Sequence, residues 1–157
     1  NSSWLASLEE IVTTAGIESE LAALAGEAEL LLEPVADELV LVRPICFEPL
    51  RWVRTLAAGE PVPTDHQPTS AAVSVPGVLL TQIASTRALI RQGLDFADAP
   101  PVAIEGHSQG VLAVEALRAG GAKDVHLLAL AQLIGAAGTL VAPPRGLVAH
   151  RDRPPMV

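Results

Sequence analysis

Apolar residues recur along much of this chain at spacings of three and four, the period of helices that bury one face. Trp4, Leu5, Leu8, Ile11 and Val12 form the first stripe, which predicts a helix from Trp4 to Thr14 with Ser3 as its N-cap and Gly16 as its stop. Leu21, Ala22, Leu24, Ala25, Ala28 and Leu31 form the second and predict a helix over Glu18 to Leu32, closed by Pro34. Glu33 to Glu38 reads as a linker. Leu39-Val40-Leu41-Val42 is too short a run to separate a strand from a helical turn. A short helix is expected over Glu48 to Leu56, then a surface loop from Gly59 to Pro68 whose prolines and polar residues fit neither period. From Thr69 to Gln92, apolar Val73, Val75, Val78, Leu79, Ile83, Ala84, Leu89 and Ile90 predict a long helix that Pro76 enters or kinks and Gly93 ends.

The helical period breaks after the loop Ala97 to Pro101. Val102-Ala103-Ile104 reads as a buried strand, ending near Glu105 and running into Gly106-His107-Ser108-Gln109-Gly110. Val111, Leu112, Val114, Ala116 and Leu117 then resume the helical spacing to about Arg118. A strand that turns straight into a helix leaves no room for side chains at the junction. Glycines two residues to either side let the central serine project from a tight, strained corner as an exposed nucleophile. A Gly120-Gly121 turn and a helix over Lys123 to Leu140 follow. Strand, elbow and helix among flanking helices imply an α/β domain with parallel strands buried on both faces. Only one strand is evident, so further sheet partners are expected outside this chain.

Composition narrows the partners. The chain has 157 residues, enough for one domain with a real core, and half of them are hydrophobic. Ten basic residues against 18 acidic give a net charge of -8, and the basic ones are scattered, which argues against nucleic acid. Cys46 is the sole cysteine, so an internal disulfide and a cysteine-rich metal site are excluded. It reads as a small buried hydrophobe. No metal-ligand spacing joins His66, His107, His126 and His150, so no metal is expected. The apolar stretch Leu127 to Ala142 is interrupted by Gln132, Gly135, Gly138 and Thr139 and reads as a buried helix rather than a membrane span. No secretory leader is visible, and the expected location is cytoplasmic, away from any membrane. The chain opens at Asn1 without a methionine and closes at Val157 in mid-pattern, so it is expected to belong to a longer polypeptide.

Four stretches carry a family likeness over nearly the whole chain: Ser-Val-Pro-Gly-Val-Leu-Leu-Thr-Gln-Ile (74 to 83), Ala-Leu-Ile-Arg-Gln-Gly (88 to 93), Ala-Ile-Glu-Gly-His-Ser-Gln-Gly (103 to 110) and Ala-Leu-Arg-Ala-Gly-Gly (116 to 121). Together they resemble the acyltransferase fold of malonyl and acetyl transferases, above all the acetyl transferase domain near the N-terminus of actinobacterial, fungal-like type I fatty acid synthases. The resemblance implies an incomplete α/β-hydrolase-like core. Residues 1–153 would belong to its large α/β subdomain, and 154–157 would begin the small ferredoxin-like subdomain. It also implies an activity: an acetyl group passes from acetyl-CoA through an acyl-serine to the phosphopantetheine thiol of an acyl carrier domain, priming fatty acid synthesis. Coenzyme A thioester is then a substrate, no cofactor is tightly held, and the partners are the carrier domain and the other domains of a homo-oligomeric synthase.

Residue by residue, Ser108 matches the family nucleophile and Gln109 supplies the backbone N–H that faces the developing oxyanion. His107 matches a motif histidine that lines the pocket and is not the base. The family's second oxyanion donor and its general-base histidine would lie before Asn1 and beyond Val157, so the catalytic apparatus within this chain is expected to be incomplete. Malonyl transferases of this fold carry an arginine in a Leu-Arg-Gly context on the second helix after the elbow, where it clamps the substrate carboxylate. Here Leu133-Ile134-Gly135 stands at that place, and an apolar Ile134 favours acetyl as the donor. Alternatives are a malonyl or palmitoyl transferase and an α/β-hydrolase thioesterase, the latter weakened by the absence of an upstream His-Gly-Gly loop. A further alternative is a catalytically incomplete piece that only packs within an assembly.

Overall fold

A computed structural model describes residues 3–35, 49–58, 60, 70–96, 98, 101 and 103–141. Its regular elements are α1 (Ser3–Ala15), α2 (Glu18–Leu32), a 3-10 turn (Glu33–Val35), α3 (Pro49–Ala57), α4 (Ala71–Arg91), α5 (Gly110–Arg118) and α6 (Asp124–Val141). Every helix expected from the apolar period is present, with ends shifted by at most about two residues, the usual uncertainty of helix boundaries. Ser3 is the first residue of α1. The expected linker begins as the 3-10 turn at Glu33–Val35. Cys46, His66, His150, Leu39 to Val42 and residues 154–157 lie outside the described residues.

The central element is α4, which packs most extensively on α6 and next on α1, with α5 against its C-terminal half. Val73, Leu79, Leu80, Ile83 and Ala84 of α4 are buried together with Leu8, Leu21, Leu24, Trp52 and Leu128 from four other helices. Each buried Val, Leu or Ile side chain among them contributes roughly 1.5–3 kcal/mol relative to exposure, and α4 gathers the most buried residues. This helix is long and apolar enough to cross a membrane, and in this molecule its length serves as a core around which the others pack. Pro76 sits within α4 and is fully buried.

Two glycines set how closely the helices approach. A Cβ on Gly77 would lie 2.8 Å from ring carbons of Trp4, so α1 rests its indole directly on the α4 backbone. A Cβ on Gly135 would lie 2.5 Å from the carbonyl oxygen of Ala71, which brings α6 into backbone contact with the start of α4. The Trp4 ring meets Trp52 of α3 at a centroid distance of 6.1 Å and a tilt of 58°, a favourable aromatic geometry. Thr81, buried beneath Trp4, donates its hydroxyl to the Gly77 carbonyl at 2.9 Å, with the Trp4 carbonyl at 3.2 Å.

The α/β expectation is overturned: among the described residues there is no strand, and the architecture is helical. The physical reason is at Ala103 to His107. This segment is exposed and makes no ladder hydrogen bonds among the described residues, whereas a strand exists only through a partner's N–H and C=O groups. Val102, which opened the apolar run, lies outside the described residues. Ile104 is 37% exposed where a doubly covered parallel strand would bury it. The buried reading of Leu127 to Ala142 also needs correction. Leu127, Leu128, Ala129 and Ala131 are buried, but Leu130, Leu133 and Ile134 face outward, so α6 covers the core with one side only.

Candidate active site

Gly106 to Gly110 form a tight corner that delivers the chain into α5. Gly110 N–H donates to the His107 carbonyl at 2.9 Å, Val111 N–H to that of Ser108 at 3.2 Å, and Leu112 N–H to that of Gln109 at 3.1 Å. These i to i−3 bonds wind the entry more tightly than an α-helix. The consequence appears at Ser108, whose φ is +56°: it is the one non-glycine residue with positive φ among those described. An L-residue in this left-handed region costs about 1–2 kcal/mol, and such strain persists only where the surroundings over-determine it. Ser108 is also exposed. The corner presents an exposed serine of positive φ at the start of a helix, but it is not the expected strand-to-helix elbow: between Gln92 and Gln109 the described residues form no strand or helix, and Ser108 ends a loop.

The flanking glycine explains the tightness. A Cβ on Gly106 would lie 2.4 Å from the Gly110 carbonyl oxygen and 2.8 Å from Cγ2 of Val114, so no side chain fits there. Gly110 has open space where a Cβ would stand, so its small size is not required by contact. The hydrogen bonds above consume the N–H groups of Gly110, Val111 and Leu112. That of Gln109 has no partner among the described residues, and it is the first at the positive end of the α5 dipole. Gln109 itself is helical, with φ −62° and ψ −22°. His107 and Ser108 share the exposed corner. Ile134 is on α6, 47% exposed and outside the groove described next.

A groove of about 1090 Å³ runs between the C-terminal half of α4, the Gly93 to Phe96 segment and α5. Ile83, Ile90, Leu94, Ile104, Val114 and Leu117 give it an apolar floor, and Glu20, Arg87, Arg91, Asp95, Glu105 and Asp124 are the charged groups along it. It reaches the corner from the α5 side, through Glu105 and Gly110. Sequence reasoning missed its charges. Arg87 on α4 donates to the Asp124 carboxylate at 2.9 Å, and the Asp124 side chain is only 5% exposed at the head of α6. Arg91 pairs with Glu20 and also donates to the Ala15 carbonyl at 3.1 Å at the end of α1. These pairs join residues far apart in the chain, so no local spacing signals them.

Beyond the corner, Glu115 on α5 accepts from Lys123 at 2.6 Å and faces Arg118 at 3.3 Å. The Lys123 hydrogen bond and charge, with a smaller contribution from Arg118, hold the Glu115 carboxyl below its ordinary range. Among the described residues no three His, Cys, Asp or Glu side chains gather closely enough to hold a metal ion. Compared with known proteins, the chain matches no protein-family model and no curated protein.

Proposed function

We propose that this chain carries the acyl-accepting serine of an acyltransferase of the fatty acid synthase type, Ser108, which takes an acetyl group from acetyl-CoA. The observation that carries the proposal is the positive φ of an exposed serine at the entry to α5. The proposal rests on this corner and its flanking sequence and not on an α/β framework. Ser108 Oγ attacks the thioester carbonyl, and its proton passes to a base contributed from outside the described residues. The Gln109 N–H donates to the oxyanion. Collapse breaks the C–S bond, and coenzyme A leaves as a thiol after taking up a proton. The acetyl ester is then handed to a carrier pantetheine thiol by the reverse chemistry.

The test is single-turnover labelling with acetyl-CoA of the polypeptide that carries this chain together with its general base, read by intact mass and peptide mapping. One acetyl group on Ser108, removable by hydroxylamine and absent from Ser108→Ala, is the expected result. No label, or label that persists in Ser108→Ala, overturns the proposal and favours a packing role without turnover. Prompt loss of the label to water with carrier protein present would favour a thioesterase.

Donor choice does not follow from Ile134, which is half-exposed and outside the groove, next to Gly135 packed on Ala71 at the far end of α4. Ile134→Arg should therefore leave the ratio of labelling by malonyl-CoA and acetyl-CoA unchanged. Because Ile134 is half-exposed, the new charge stays solvated and stability should barely change. A ratio shifted toward malonyl-CoA in a folded variant would bring Ile134 into the acyl pocket after all.

A further inference from the structure

We infer that Val114 is a positioning residue for Ser108, an inference that rests on the nucleophile reading above. Gly106 is laid against α5: a Cβ at 106 would stand 2.4 Å from the Gly110 carbonyl oxygen, 2.6 Å from the carbonyl carbon and 2.8 Å from Cγ2 of Val114. The oxygen is fixed by its place in the helix. The methyl is the part of this wall that a side chain supplies. With Gly106 held there, the chain has only His107, Ser108 and Gln109 in which to reverse into α5, and the three i to i−3 bonds close that reversal. The left-handed Ser108 is the geometric result. Val114 touches the chain two residues before the serine and acts on reactivity only through it. Its β-branched side chain has a stiff χ1, which suits a fixed wall. Removing the methyl opens a gap that adjoins the groove, since Val114 and Gly110 both line it. Gly106 then gains room to settle toward α5, and Ser108 can relax out of the left-handed region.

The test compares Val114→Ala with Val114→Thr, which keeps two branches of the same shape. Acylation of Ser108 by acetyl-CoA is followed by mass against acetyl-CoA concentration. Val114→Ala should lower the limiting rate about tenfold, as small misplacements of a reacting group do, and leave half-saturation unchanged, while Val114→Thr restores the rate. A general loss of packing would instead lower both variants in step with their thermal midpoints. The backbone is read separately from the Ser108 amide-to-α-proton NMR coupling and α-carbon shift. These should report the left-handed conformer in the wild-type chain and in Val114→Thr, and an averaged one in Val114→Ala. If no chain acylates but these signals change as stated, the nucleophile reading fails and the positioning inference stands. If Val114→Ala keeps both the rate and the left-handed signature, the positioning inference is wrong.

Discussion

Strain at one residue can be separated from the chemistry that residue performs. Ser108 costs stability by sitting at φ +56°, so Ser108→Gly removes the steric penalty along with the hydroxyl. Set against glycine's greater unfolded-state entropy, the net expectation is a gain of about 0.5–1 kcal/mol in unfolding free energy. Gly106→Ala is the opposite case, because its Cβ would meet a backbone oxygen at 2.4 Å, and backbone cannot swing aside as a side chain can. A loss of about 1–3 kcal/mol is expected, in the range of overpacked sites. Urea titrations of the two variants check both signs. A Ser108→Gly chain no more stable than wild type would show that the corner is not strained in solution. Of the two motif glycines only Gly106 is required by excluded volume, against the Gly110 carbonyl four residues on, while Gly110 itself has open space. The contact between Gly106 and Val114 was not legible, since it depends on how the chain enters α5.

Helices were legible to within a turn because each buries a stripe whose period is written into its own residues, as Leu21, Leu24 and Ala28 show on α2, although that stripe ends on buried Leu32 and leaves the expected Leu31 exposed. The strand was not, because three apolar residues carry no period, and a strand's stability resides in a neighbour that the sequence does not name. At this scale charge can be tested on α5 and the turn that follows it. Folding depresses the Glu115 carboxyl, chiefly through Lys123. A carboxyl whose folded value lies below its unfolded value, near 4.3–4.5, stabilises the fold above that value, and the contribution is lost as pH falls through the folded one. Lys123→Ala should therefore move the Glu115 midpoint upward toward the ordinary range in a carboxyl-carbon NMR titration. Both groups are at the surface, so the effect should shrink in high salt. A midpoint that stays put would assign the depression to Arg118 instead.

Across the whole molecule, α4 and α6 form the largest contact, and the Arg87–Asp124 pair ties the C-terminal half of the first to the head of the second. The two ends of the pair are not equivalent. Asp124 is nearly sealed from solvent, while Arg87 keeps 27% of its side chain exposed and has Glu20 as a second partner at 3.8 Å. Arg87→Ala leaves a buried carboxylate with only the N-terminal end of α6 to stabilise it, a deficit that breaking a buried pair sets at about 3–5 kcal/mol. Partial exposure of the pair lowers the expectation to roughly 2–3 kcal/mol. Asp124→Ala leaves a guanidinium that can turn to water or to Glu20, so roughly 1–2 kcal/mol is expected, with loss of the acidic first-turn residue of α6 included. Arg54→Ala, which breaks an exposed pair with Glu18, should cost less than about 1 kcal/mol. Denaturation of the three variants at low and high salt tests the order. The Arg87→Ala penalty should persist at high salt, because Asp124 is shielded from mobile ions, and the Arg54→Ala penalty should fade. Equal costs for Arg87→Ala and Asp124→Ala would mean that water reaches the head of α6, and that the pair fastens the helices no better than a surface contact does.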